Sequence, residues 1–192
     1  YMLREEFDKY KDEWNIKNVK SEDADKLQKR YEDLNKKLEG VAIDDDTAKL
    51  VSNFKFLDAE GKVEPQFVDK NGNQSDVYTE GAKVIEGSKL DISIRLAKQN
   101  ILLENIGTDT EFNAQDLQKE LAERLPETLY AEHVASQVGK GALEHPKQFT
   151  DTKFLNQFKA DLANPDKRME INDTAFAASV DNAVNATAGY AS

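Results

Sequence analysis

The sequence predicts a mainly α protein: a multi-helix bundle-like domain with an N-terminal helical hairpin and a small antiparallel β-hairpin insertion. Three observations carry that expectation. Apolar residues recur three and four apart through residues 1–40 and again from residue 88 onward, which is the spacing of one helix face. Between those regions, residues 41–87 hold short β-prone runs parted by Gly, Asn and Pro. A chain of 192 residues, 39% of them hydrophobic, is also long enough to enclose a core. The expected organisation is a hairpin over 1–40, an insertion over 41–87 and a helical core over 88–192, with the first and last forming one unit.

In the first region Leu3, Phe7, Tyr10 and Trp14 form one stripe, and Leu27, Tyr31, Leu34 and Leu38 form a second. Ser21, Asp23 and Asp25 supply acceptors for the free N–H groups opening the second helix, and Gly40 closes it. Each stripe covers about two heptads, too short for an isolated coiled coil, so each must pack on the chain itself or on a partner. The aromatic seam of Phe7, Tyr10 and Trp14 is the best candidate for partner binding, because Tyr and Trp bring large contact area at little entropic cost.

In the insertion, Phe54 to Leu57 and Lys62 to Val68 flank the turn Asp58-Ala59-Glu60-Gly61 and read as a hairpin, with Pro65 confining its strand to an edge. Asn71-Gly72 marks a second turn before Val77-Tyr78, and the run Asp44-Asp45-Asp46 suits a helix N-terminus. Ser88 with Asp91 opens a helix that carries Leu90, Ile94, Ala97 and Ile101 and stops at Gly107. Two short helices follow, with Leu117, Leu121 and Leu125 before Pro126 and Tyr130, Val134 and Val138 after it. Another helix opens at Thr150 or Asp151, buries Leu155, Phe158 and Leu162, and ends at Asn164-Pro165; the last begins at Asp173 with Phe176, Val180 and Val184.

Charge narrows the function classes. The formal net charge of -11, with 33% charged residues, disfavours nucleic acid and anionic lipid as partners and favours solubility. The first 40 residues hold 10 basic and 11 acidic groups, so nearly all of the excess lies beyond them. No apolar run is long enough for a membrane span, and the start at Tyr1 leaves localisation open. Absence of cysteine removes disulfides, thiolate-bound zinc and thiol chemistry. Asn73, Asn172 and Asn185 head Asn-x-Ser/Thr triplets, at a frequency expected for this composition.

One stretch invites a metal reading. In DKNGNQSDVYTE, residues 69–80, calcium-loop spacing assigns oxygens to Asp69, Asn71, Asn73, the Ser75 carbonyl and a bidentate Glu80. Against it, the sixth position is Gln74 where glycine permits the sharp turn, and Pro65 precludes an entering helix. A plain Asn-Gly turn is the favoured expectation, with weak calcium binding as the alternative. His133 and His145 lack the spacing of a shared metal site, Gly139-Lys140-Gly141 lacks the strand and glycines of a phosphate loop, and the many carboxylates specify no acid–base pair. The expected function is a non-catalytic protein interaction or structural module, acting on another protein or by self-association and needing no cofactor. The Tyr start and the Asn- and Lys-rich, Cys-free composition suit a module of a larger bacterial or phage protein. An enzyme built from dispersed carboxylates and histidines is the remaining alternative.

Overall fold

The computed structural model describes residues 21–108, 110–139 and 152–181. In chain order these form α1 (Ser21–Glu39), α2 (Asp45–Val51), β1 (Phe54–Phe56), β2 (Phe67–Val68), β3 (Gln74–Ser75), β4 (Lys83–Val84), α3 (Lys89–Asn105), α4 (Ala114–Gly139), α5 (Thr152–Leu162) and β5 (Met169–Ile171). A closing helix, α6, covers residues 173–181. The described chain is thus mainly α with a small antiparallel sheet, as expected. No helix among the described residues is long and apolar enough to cross a membrane.

The centre is the α3–α4 pair, which makes the most extensive helix contact among the described residues. Ser88 caps α3, its side chain accepting from the Asp91 amide at 3.2 Å, and Leu90, Ile94, Ala97 and Ile101 are buried on the face it turns inward. On α4, Leu117, Leu121, Leu125 and Leu129 are fully enclosed. Asn113 and Asp116 cap that helix reciprocally, Asp116 N–H donating to Asn113 Oδ1 and Asn113 N–H to Asp116 Oδ2. These leucines explain a correction. Pro126 does not divide two short helices; one helix runs from Ala114 to Gly139 with Pro126 inside it. A helix-interior proline costs about 3 kcal/mol, whereas each enclosed leucine contributes about 1.5–3 kcal/mol, and four of them span the break.

α1 joins this core only through its second half, where Leu34 and Leu38 are buried. α2 opens at Asp44, whose side chain accepts from the Thr47 amide at 2.7 Å, with Asp45 and Asp46 in the first turn. α5 buries Phe158 and Leu162, while Leu155 is only partly covered. Asn172 caps α6 by accepting from the Ala175 amide at 2.8 Å. Phe176 of α6 is buried and Val180 packs against the core's edge, while Val184 lies outside the described residues.

The strands depart from expectation. β1 does not form a hairpin with residues 62–68; it pairs in parallel with β5, Phe54 opposite Met169 and Phe56 opposite Ile171. Of the expected hairpin only the turn and a single Leu57–Val63 bridge remain. Asp58 holds that turn by accepting from the amides of Glu60 and Lys62, and Gly61 takes the positive φ of 82°. The reason for the re-pairing is burial. Alternation puts Phe54 and Phe56 on one side of the strand, where they meet Phe158 and Phe176 at ring separations of 6.2 and 5.4 Å. The second sheet has the order β3-β2-β4, antiparallel throughout, and stands on Phe67, which meets Tyr78 edge-on.

Candidate functional site

Three polar arrangements stand out among the described residues. The first is inside the α3–α4 pair. Ser93 lies three after Leu90 and four before Ala97, on the same stripe; Glu132 lies seven after Leu125, on the leucine stripe of α4. Both are buried, and Ser93 Oγ sits 2.9 Å from each carboxyl oxygen of Glu132 and 3.0 Å from the Lys89 carbonyl oxygen. Burial pushes the Glu132 carboxyl up to about 8, and the hydrogen bond to Ser93 only partly opposes this. In the neutral form the carboxyl O–H donates to Ser93 Oγ while Ser93 donates to the Lys89 carbonyl, so both hydroxyl protons are placed. With a carboxylate the serine proton is drawn to Glu132 and the Lys89 carbonyl keeps only its helical N–H donor. Sequence reading missed this pair. The available signal was a carboxylate and a hydroxyl occupying positions that the leucine and isoleucine periodicity reserves for core residues.

The second arrangement is a cation at the start of α3. Lys89 is largely covered and forms ion pairs with Glu64 at 3.0 Å and Asp173 at 2.6 Å; it also donates to the Leu57 carbonyl and lies 5.9 Å from the Phe176 ring centre. One ammonium thereby joins α3 to the turn after β1 and to α6. All of these partners belong to the fold, so the contacts tie three segments together.

The third is a cleft of about 290 Å³ between α1 and the segment leading into α4. α1 contributes Lys26, Lys29, Arg30, Asp33, Leu34 and Lys37; Thr110, Glu111 and Phe112 face them. The Arg30 guanidinium donates from Nε to the Asn105 carbonyl and from Nη2 to Thr108 Oγ1 and the Thr110 carbonyl, which fixes it in place. Lys37 donates to the Phe112 carbonyl.

The residues singled out from sequence fall elsewhere. Phe7, Tyr10 and Trp14 lie outside the described residues, as does His145. His133 is half-buried and packs 5.8 Å from the Phe158 ring. In the loop after β2, Asp69 Oδ1 accepts from the amides of Asn71 and Asn73 at 2.9 and 2.8 Å, and Gly72 takes φ +85°. The Ser75 carbonyl accepts from the Gln66 amide within the sheet, and Glu80 is exposed beyond it, before Gly81. These oxygens serve a turn and a ladder. No cluster of three or more His, Asp or Glu placed to hold a metal ion occurs among the described residues. Compared with protein-family models, curated proteins and solved structures, the chain matches none.

Proposed function

We propose that the protein is a non-catalytic interaction module that binds another protein, or a second copy of itself, through the apolar side of α1 and the aromatic-bearing segment that precedes it. The observation that supports this reading is where the α1 stripe leaves the core. Leu34 and Leu38 are buried, Leu27 is half-covered, and Tyr31 is 37% exposed although it lies on the same face. The stripe therefore runs past the end of its own packing surface. The sequence carries the same spacing into Phe7, Tyr10 and Trp14. Covering such a face withdraws apolar area from water at roughly 25 cal/mol per Å², and a tyrosine at its centre is a frequent anchor.

Sedimentation velocity over a concentration series, with the full chain and its Trp14→Ala and Tyr31→Lys variants, tests the reading. Association that either variant weakens, with the melting temperature held, supports a binding face. A fall in melting temperature without any association assigns the seam to internal packing. If neither stability nor association responds, the stripe has no role of this kind.

A further inference from the structure

We infer that the cleft beside α1 receives a short acidic peptide segment of a partner protein, one that carries an apolar side chain among its carboxylates. This deepens the interaction reading by giving the partner's chemistry, and rests on it to the extent that the chain works by surface contact.

The helix geometry separates the two surfaces. At 100° per residue, Lys26, Arg30, Asp33 and Lys37 centre on a line roughly 100° around α1 from Leu27, Tyr31 and Leu38. The cationic row is thus turned away from that stripe, with Leu34 at the boundary between them. In a chain of net charge -11, four cations converge here against two carboxylates among the described residues, Asp33 and Glu111. Lys26 and Lys29 are exposed and form no ion pair among the described residues, so both are open to an incoming carboxylate.

Arg30 differs from the lysines. Its Nε and Nη2 are held by the loop after α3, so the guanidinium is oriented in advance and loses little freedom when Nη1 takes an acceptor. Pre-set orientation of this kind lowers the entropic cost of binding a carboxylate. Leu34 and the half-buried Phe112 give the cleft an apolar side. A ligand made only of charge leaves that side unused.

Size and long-range charge select among anions. A volume of about 290 Å³ lies at the small end of the roughly 300–1,000 Å³ usual for ligand pockets, so it suits a few side chains and not a whole nucleotide cofactor. A long polyanion approaching the cleft meets the field of the remaining negative charge along its length, whereas a short acidic segment within a mixed surface meets less of it.

Fluorescence polarisation with the full chain and a fluorescein-labelled peptide of alternating Glu and Asp bearing one Leu and one Phe tests the assignment. Saturable binding is expected, weakened about tenfold or more by the double change Lys26→Glu, Lys29→Glu and also weakened by added salt. Because both lysines are exposed, the double variant should keep the parent's circular dichroism and melting temperature. Replacing Leu and Phe in the peptide by Ser should weaken binding without touching the protein. No binding at millimolar peptide overturns the proposal, as does binding indifferent to the charge reversal. Equal binding of polyphosphate or of the Ser-substituted peptide also overturns it, by making the cleft a general anion site. The Tyr31→Lys variant separates the two readings: lost association with intact peptide binding upholds both, whereas association without peptide binding leaves the α1 seam standing and removes the cleft.

Discussion

The α3–α4 pair and the strand-bearing stretch from Phe54 to Val84 are stabilised in different ways. The helix pair is held by apolar volume, with Ile101, Leu117, Leu121, Leu125 and Leu129 withdrawn from water. The stretch has strands of two or three residues, and much of its order comes from side chains that bind nearby backbone: Asp58 and Asp69 each accept from two amides, and Ser75 accepts from Val77. Gln66 joins the two regions. It is buried, its backbone pairs with Ser75 and Ile85, and its side-chain Oε1 accepts from the Leu90 amide at 2.8 Å, satisfying a free donor at the start of α3. Helices supported by burial tolerate a local violation such as Pro126. Strands this short pair over few residues, so their order rests on the turns that hold them.

The largest effect should come from emptying the helix pair. Leu121→Ala is expected to lower unfolding free energy by about 3–4 kcal/mol in urea denaturation, since a fully enclosed leucine leaves a cavity. A loss below about 1 kcal/mol would mean that the α3–α4 interior is not the principal source of stability.

A somewhat smaller effect follows from Glu132. Its folded carboxyl is pushed up to about 8 from the ordinary 4.5, so between those values the native state holds a proton that the unfolded chain has released. The stability this gives is complete below about pH 4.5 and is lost as pH rises to about 8. Glu132→Gln, whose amide can donate to Ser93, should flatten that dependence and exceed the parent at pH 7 by about 2–3 kcal/mol. Unfolding measured across pH 4 to 9 in both proteins checks it; parallel curves would refute the assignment.

The turn region should give the smallest changes. Gly72→Ala forces a side chain into φ +85°, costing about 1–2 kcal/mol although the space around it is open. Asp69→Ala removes the acceptor for two amides, costing about 1 kcal/mol. Both are read by urea denaturation, repeated with millimolar calcium. Equal shifts with and without the ion are expected of a turn, and a calcium-dependent gain in the parent alone would support the ion-binding reading of residues 69–80.

What could be read in advance divides along the same line. α3 was legible because its cap Ser88 and its stripe Leu90, Ile94, Ala97 and Ile101 are local, and a helix face is written every three or four residues. The Asn71-Gly72 turn was legible for the same reason. The β1–β5 pairing was not, because Phe54 and Phe56 look equally suited to the nearer run from Lys62, and only the distant phenylalanines of α5 and α6 decide between them. Continuity through Pro126 also needs knowledge of what covers the leucines. The Ser93–Glu132 pair interrupts two apolar periodicities with polar groups whose complementarity emerges only when the helices face one another.

The parallel pairing of β1 with β5 has a consequence for how the molecule assembles. Its two strands are more than a hundred residues apart, so closing that loop costs entropy before any contact rewards it. During synthesis Phe54 and Phe56 emerge early, and the strand and α6 that cover them emerge late. Until Ile171 and Phe176 arrive, a pair of aromatic rings is exposed on a chain that is otherwise ready to collapse, so a nascent protein stalled short of those residues presents a sticky patch that the finished one conceals.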